Sequence, residues 1–296
     1  MPWEGANNMN EFQIHQPGTL QEAHTLLDRF GEEARVIAGG TGLVQGMKLR
    51  LAQPEHLIAL QRVTGLVGIQ DSNGGIRIGA MTTHREVELS TLVRERIPFL
   101  AETYRHVATV RIRNMATVGG GLAHADPNQD PQPALIALEA RVSLASPNGM
   151  REVSVEELAT GYYETVIAPE EVLTEIIIPA INTSSGTAFL KFTPQTADDY
   201  ATVSVAVFLS VDSNGNCEDV RIALGSCGVT AIRAHKAEEV LRGRAPTPQR
   251  LQDIGEVVAG EVDPSDDIRG SAGYKREMAA VFTRRALEQA RNSINN

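Results

Sequence analysis

The chain has 296 residues, a length that favours two domains, and its hydrophobic share of 42% is ordinary for a globular protein. A formal net charge of −10 argues against a nucleic acid or an anionic membrane surface as partner. Two cysteines, Cys217 and Cys227, with no C-x-x-C spacing, imply neither a disulfide framework nor an iron–sulfur cluster built from this chain alone.

The first ten residues are polar and carry no apolar core of a signal peptide, and no apolar run approaches the roughly 20 residues that cross a bilayer. The expectation is a cytoplasmic protein without membrane insertion. Met9 stands just before the first patterned segment, so residues 1–8 read as an extension, a tag remnant or an upstream start.

Phe12 and Ile14 alternate with polar residues and predict a short strand. Thr19 then caps a helix, with Glu22 completing a capping box; Ala23, Leu26, Leu27 and Phe30 recur at helical spacing, and Gly31 stops the run. Residues 35–38 are a second strand, which makes a compact βαβ unit. Residues 57–60 form another strand, and 66–70 with 76–80 form a hairpin about Asn73-Gly74-Gly75. Thr82 or Thr83 caps a helix from His84, and a further helix follows Pro98. Residues 109–121 read as extended, and Pro131 or Pro133 opens another helix. A hairpin turns at Pro147-Asn148-Gly149, and a strand over 172–178 ends at Pro179. Residues 182–186 (Asn-Thr-Ser-Ser-Gly) are the best linker candidate. Beyond them come three antiparallel strands, at 188–192, 203–211 and 220–224, then helices near 230–241, 247–259 and 272–292. That is an α+β module.

Two glycine-rich segments stand out: Ala38-Gly39-Gly40-Thr41-Gly42 and Thr117-Val118-Gly119-Gly120-Gly121. Each reads as a strand entering a tight turn, where glycine permits positive φ and close approach of a ligand to the main chain. Successive amide N–H groups there make an anion site without a lysine. Two such loops could grip a pyrophosphate, which points to a dinucleotide. A Rossmann site is excluded because neither loop has G-x-G-x-x-G spacing, and the absence of G-K-[ST] excludes a Walker loop.

Residues 36–42 (Val-Ile-Ala-Gly-Gly-Thr-Gly), followed by Met47-Lys48-Leu49-Arg50-Leu51-Ala52-x-Pro54, resemble the first flavin loop of the medium, FAD-binding subunits of molybdenum hydroxylases. Arg111-x-Arg113-Asn114-x-x-Thr117-Val118-Gly119-Gly120-Gly121, continuing through His124-Ala125-Asp126-Pro127-x-x-Asp130, is similar to that family's second loop. Asp198-Asp199-Tyr200-Ala201 and Ser271-Ala272-x-Tyr274-Lys275-Arg276 resemble its C-terminal signatures. The likeness runs from Phe12 to the last helix.

The resemblance implies an α+β fold: a PCMH-type FAD-binding domain of two α/β subdomains, then a small three-stranded antiparallel sheet with three helices. The boundaries expected are 1–184 (subdomains 9–60 and 61–184) and 185–296. It implies that Ala38, Gly39, Gly40, Thr41 and Gly42 and Thr117, Val118, Gly119, Gly120 and Gly121 contact FAD, with Asp130, Leu173, Lys191 and Tyr200 around the flavin. Asp130 also stands where a helix N-cap is expected. Lys191 reads on chemistry alone as a solvated strand lysine, Tyr200 equally as a ring plane for the isoalloxazine or as a core tyrosine, and no third metal ligand joins His124 and Asp126. The family usually carries Asn or Ser at Gly121 and a polar–serine pair at Thr41-Gly42, so a looser grip on FAD is expected.

The function implied is electron transfer from the [2Fe-2S] clusters of a small iron–sulfur subunit through FAD to an external acceptor. The resemblance also implies molybdopterin on a large subunit and an assembly that is a dimer of heterotrimers. Two other readings stay open: a self-sufficient FAD-dependent oxidase or reductase, and a flavin-free scaffold subunit.

Overall fold

The computed structural model describes residues 9–181 and 185–294. Strands β1 (Gln13–His15), β2 (Ala34–Ile37) and β3 (His56–Ala59) form a parallel sheet in the order β1-β3-β2. Helix α1 (Leu20–Phe30) connects β1 to β2, and α2 (Leu43–Lys48) precedes β3. Thr19 Oγ accepts the Glu22 N–H at 3.2 Å, but the Glu22 carboxylate takes the Gly18 N–H, so the expected box is displaced by one residue. Ala23 and Leu27 of α1 bury against Ala34, Ile58 and Leu60, which closes this small layer.

Strands β4 (Ile69–Ser72) and β5 (Gly75–Gly79) form the next hairpin, with Asn73 at φ 51° and Gly74 at φ 85°. Two successive positive φ angles match the right-handed twist of the flanking strands, which is why Asn-Gly serves there. Six short helices follow: α3 (His84–Leu89), α4 (Thr91–Arg96), α5 (Pro98–Arg105), α6 (Val110–Arg113), α7 (Val118–His124) and α8 (Pro131–Ala137). Thr83 caps α3 in a complete capping box with Glu86. The chain then returns through β6 (Arg141–Ser146), β7 (Gly149–Ser154), α9 (Val155–Leu158), β8 (Ala159–Gly161), β9 (Glu164–Thr165) and β10 (Val172–Ile178). The resulting antiparallel sheet has the order β4-β5-β10-β6-β7.

The extended reading of residues 109–121 is overturned, because both α6 and α7 lie within that stretch. Thr109 and Thr117 act as N-caps, each hydroxyl accepting the amide three residues on. The β-branched residues beside the glycines mark caps rather than a strand.

The C-terminal sheet holds β11 (Ser185–Phe192), β12 (Val203–Val211), β13 (Cys217–Gly225) and the two-residue β14 (Ile232–Arg233), in that order. It therefore has four strands rather than three; β14 is too short to leave a periodic signal. Helices α10 (His235–Leu241), α11 (Pro248–Glu261) and α12 (Ala272–Ile294) complete the chain. Of the proposed linker, residues 182–184 lie outside the described residues, as do 1–8, whereas Ser185 and Gly186 begin β11. A Cβ on Gly186 would overlap the Ala290 carbonyl of α12.

Residues 203–210 of β12 are buried without interruption. One face, with Val205, Val207 and Leu209, packs into the core of Leu251, Ile254 and Leu287. From the other, Ala206 joins Phe189, Ala223 and the α8 residues Leu135 and Ile136. The sheet is thus sandwiched between its own helices and α8, and every residue of α8 is buried. Cys217 and Cys227 are buried and unpaired, and burial pushes both thiols up to about 12. No helix among the described residues is long and apolar enough to cross a membrane.

Candidate functional site

Strand β2 delivers the chain directly into the first glycine segment. Gly40 has φ +73°, a conformation side chains rarely take, and its carbonyl accepts the Val44 N–H at 3.0 Å, which starts α2. Among the described residues the amides of Gly39, Gly40, Thr41 and Gly42 meet no acceptor. Four consecutive unpaired donors on one tight loop are the kind of arrangement that suits an anion.

The second segment is different. Val118 N donates to Thr82 O and Gly119 N to Ala80 O, both at 2.9 Å, while Gly120 N donates to Thr117 Oγ and Gly121 N to Thr117 O. Its amides are committed to the protein, so only the first segment is an open amide cradle. Lack of side chains is used here for close packing. A Cβ on Gly119 would lie 2.5 Å from Ala80 Cβ, and one on Gly120 would lie 3.2 Å from Ala38 Cβ. Likewise a Cβ on Gly39 would overlap the Met115 carbonyl. The two segments therefore touch, one against the other.

Beside them opens a cleft of about 620 Å³, between the parallel and the five-stranded sheets. Ala38, Gly119, Gly120 and Leu173 line it, together with Val36 and Leu60. The other predicted residues lie apart from that wall. Gly42 faces the His124 imidazole, whose Nε2 stands 2.7 Å from where a Cβ would be, and a Cβ on Gly121 would lie 2.9 Å from Gln129 Oε1. The space of the expected side chains is taken by neighbours. His124 also lies 5.0 Å from the Tyr163 ring, and burial lowers its pKa.

Asp130 precedes α8 but does not cap it. Its Oδ2 instead receives a hydrogen bond from Lys191 Nζ at 2.8 Å, and the same ammonium donates to His106 O at 2.9 Å. Lys191 is thus no solvated strand lysine: its side chain is 4% exposed. Desolvation pushes the Asp130 pKa up to about 6 in spite of the lysine, and its Oδ1 is buried without a partner. Tyr200 is not a core tyrosine: it is half exposed, and Arg269 stands over its ring at 5.2 Å. Burial and the Asp126 charge raise the pKa of both Tyr200 and Tyr163.

Sequence reasoning missed Asp126, Tyr163 and Arg269 as a polar group beside Tyr200, since they come from three distant stretches. It also missed His84, whose Nε2 donates to Thr117 O at 3.2 Å. Burial holds His84 neutral, lowering its pKa to about 4. A lone histidine after a threonine cap carries no sign that it will reach a carbonyl 33 residues away.

Residues 10–181 match the family described as the FAD binding domain in molybdopterin dehydrogenase, and residues 188–290 match the CO dehydrogenase flavoprotein C-terminal domain. The chain belongs to this flavoprotein family. It is 37% identical over 279 residues to the carbon monoxide dehydrogenase medium chain of Hydrogenophaga pseudoflava, covering 94% of this chain and 96% of that one. The nicotine 6-hydroxylase medium subunit of Paenarthrobacter nicotinovorans is 34% identical over 93% of this chain and 95% of its own length. Among solved structures, carbon monoxide dehydrogenase from Hydrogenophaga pseudoflava superimposes with a TM-score of 0.93 at 38% identity, covering 96% of this chain and 98% of that one. Quinoline 2-oxidoreductase from Pseudomonas putida 86 gives 0.91 at 31%, with coverage of 98% and 100%. The flavoprotein subunit is accordingly an FAD-binding component of a multi-subunit oxidoreductase of the molybdenum hydroxylase class.

Proposed function

We propose that this chain holds FAD across the two glycine segments and passes electrons from the [2Fe-2S] clusters of a small subunit to an external acceptor. The large subunit of the same cytoplasmic complex, a dimer of heterotrimers, would carry molybdopterin and oxidise the substrate. The observation that carries this reading is the row of four unpaired amides at Gly39, Gly40, Thr41 and Gly42. A diphosphate is the ligand such a row suits, and in a chain of net charge −10 it supplies the neutralisation that surface charge does not.

Other residues fit the same group. The unpartnered Asp130 Oδ1 is a buried acceptor suited to a ribityl or ribose hydroxyl, and the adjacent Lys191 ammonium suits the electron-rich edge of a flavin. Leu173 and the crossing of Ala38 with Gly120 give the cleft an apolar wall, while Tyr200 offers a ring plane braced by Arg269. Thr117 holds the second segment in register through its capping bond. FAD, when bound, accepts electrons singly or in pairs, which links one-electron clusters to a two-electron acceptor. The chain's own part is to bind, orient and tune the electrostatics around it; no residue is asked to move a substrate proton.

Purified protein incubated with FAD and desalted should show a flavin absorption spectrum at one FAD per chain, and it should copurify with iron- and molybdenum-bearing subunits. A colourless product would make it a scaffold. Full turnover by the isolated chain would make it a self-sufficient oxidase.

A further inference from the structure

At the end of the parallel sheet where β2 and β3 begin, side chains from adjoining chain segments converge. Glu33 immediately precedes β2, Glu55 immediately precedes β3, and His56 is the first residue of β3. One ligand atom from each of these three residues lies within 4.8 Å of the other two. The backbone beneath is fixed by Glu55 N donating to Glu33 O at 3.0 Å and Gln13 N to Glu55 O at 2.8 Å. His15 Nε2 lies 3.1 Å from His56 Nδ1, a hydrogen bond that holds the His56 ring in place beside the two carboxylates.

The imidazoles are held in place by packing. Phe30, the last residue of α1, stacks on the His56 ring at 3.7 Å and lies 4.9 Å from the His15 ring. Phe30 therefore limits how far either ring can turn. The two carboxylates, by contrast, have no basic side chain bonded to them among the described residues. Two carboxylates approach each other there, beside the His56 ring. Cations bound through mixed imidazole and carboxylate donors are of the zinc class, whereas magnesium and calcium favour all-oxygen shells.

We propose that Glu33, Glu55 and His56, with His15 as the positioning partner of His56, form a surface site for one divalent transition-metal ion of the zinc class. The ion clips together β3 and the entry to β2, the strand whose other end carries the first glycine segment. The site is independent of FAD, since it shares no residue with the cleft.

The test uses the full chain, stripped with a chelator, then titrated with zinc chloride by calorimetry and followed by thermal unfolding. One zinc per chain should bind and raise the melting temperature, while magnesium chloride should do neither. Glu55→Gln and His56→Ala should each abolish stoichiometric binding, and His15→Phe, which keeps a ring against Phe30, should weaken it roughly tenfold. Retained FAD absorption and circular dichroism would show these surface variants folded. Absence of stoichiometric zinc binding by the wild-type chain would overturn the site. So would binding unchanged in both Glu55→Gln and His56→Ala, which would put the ion elsewhere.

Discussion

Lys191 Nζ lies 2.8 Å from Asp130 Oδ2, with the two side chains only 4% and 5% exposed, and this pair ties the start of α8 to the C-terminal sheet. Removing one partner of a buried pair strands the other in a poor dielectric, at about 3–5 kcal/mol. Lys191→Met should therefore lower unfolding stability by that order in urea titrations and weaken FAD binding measured by fluorescence. Asp130→Asn should act in the same direction, and equal stability of both variants with the wild type would show the pair to be dispensable.

The Asp130 carboxyl also sets a pH dependence. Its folded pKa, about 6, lies above the ordinary 3.8, so the native state holds this proton more tightly than the unfolded chain. Its contribution is complete below pH 3.8 and is lost as pH rises through about 6. Asp130→Asn should flatten that part of the stability profile.

His84 works in the opposite sense. Its pKa falls from 6.5 to about 4 on folding, because burial excludes the imidazolium. Stability from the neutral ring is present above pH 6.5 and is lost as pH falls towards 4, by roughly 3 kcal/mol at most. His84→Gln, which can still donate to Thr117 O, should lose this acid sensitivity in denaturation curves at pH 4.5 and 7. If the variant stays as acid-sensitive as the wild type, the slope belongs to other groups.

Glycine substitutions should separate packing from ligand contact. Gly39→Ala drives a methyl into the Met115 carbonyl, and backbone cannot yield cheaply, so a loss of about 1–3 kcal/mol or more is expected together with loss of FAD. Gly121→Asn crowds the end of Gln129, which can swing away, and reaches His84 Nε2 only at ordinary contact distance, so the fold should tolerate it. If a missing side-chain bond loosens FAD, Gly121→Asn should tighten the dissociation constant in a titration of apoprotein; an unchanged constant removes that idea.

Arg113 gives a prediction about the approach to the second segment. Its guanidinium binds Glu88 at 2.9 Å and donates to the Val107 and Ala108 carbonyls at 2.8 Å, all nearly out of solvent. Arg113→Met should leave Glu88 buried with only Arg85 and cost about 3–5 kcal/mol, measured by chemical denaturation.

Local chemistry made much of this fold legible. Thr19, Thr83 and the Asn73-Gly74 turn act as their residue types dictate, because caps and tight turns are settled within four or five residues. The stretch 109–121 misled for the converse reason. Glycine is a poor helix former, costing about 1 kcal/mol per residue, yet Gly119, Gly120 and Gly121 are helical. What decides their conformation is tertiary: Thr82 and Ala80 accept the Val118 and Gly119 amides, and Ala80 leaves no room for a side chain. The family likeness pointed to Asp130 and Lys191 separately, but nothing local joins residues 61 apart into one buried pair. Strand β14 and helix α4 escaped notice because two and six residues make too little periodicity.

The two cysteines have a practical corollary. With both sulfurs enclosed and their protons held up to about 12, maleimide or iodoacetamide at neutral pH will find almost no thiolate to attack. The native chain therefore behaves towards such reagents as if it were thiol-free. A single cysteine introduced at Met150, which is 74% exposed, should take a spin label or fluorophore alone. From that one point, distances to a bound flavin or a docked iron–sulfur centre become measurable without editing the protein's own sulfur.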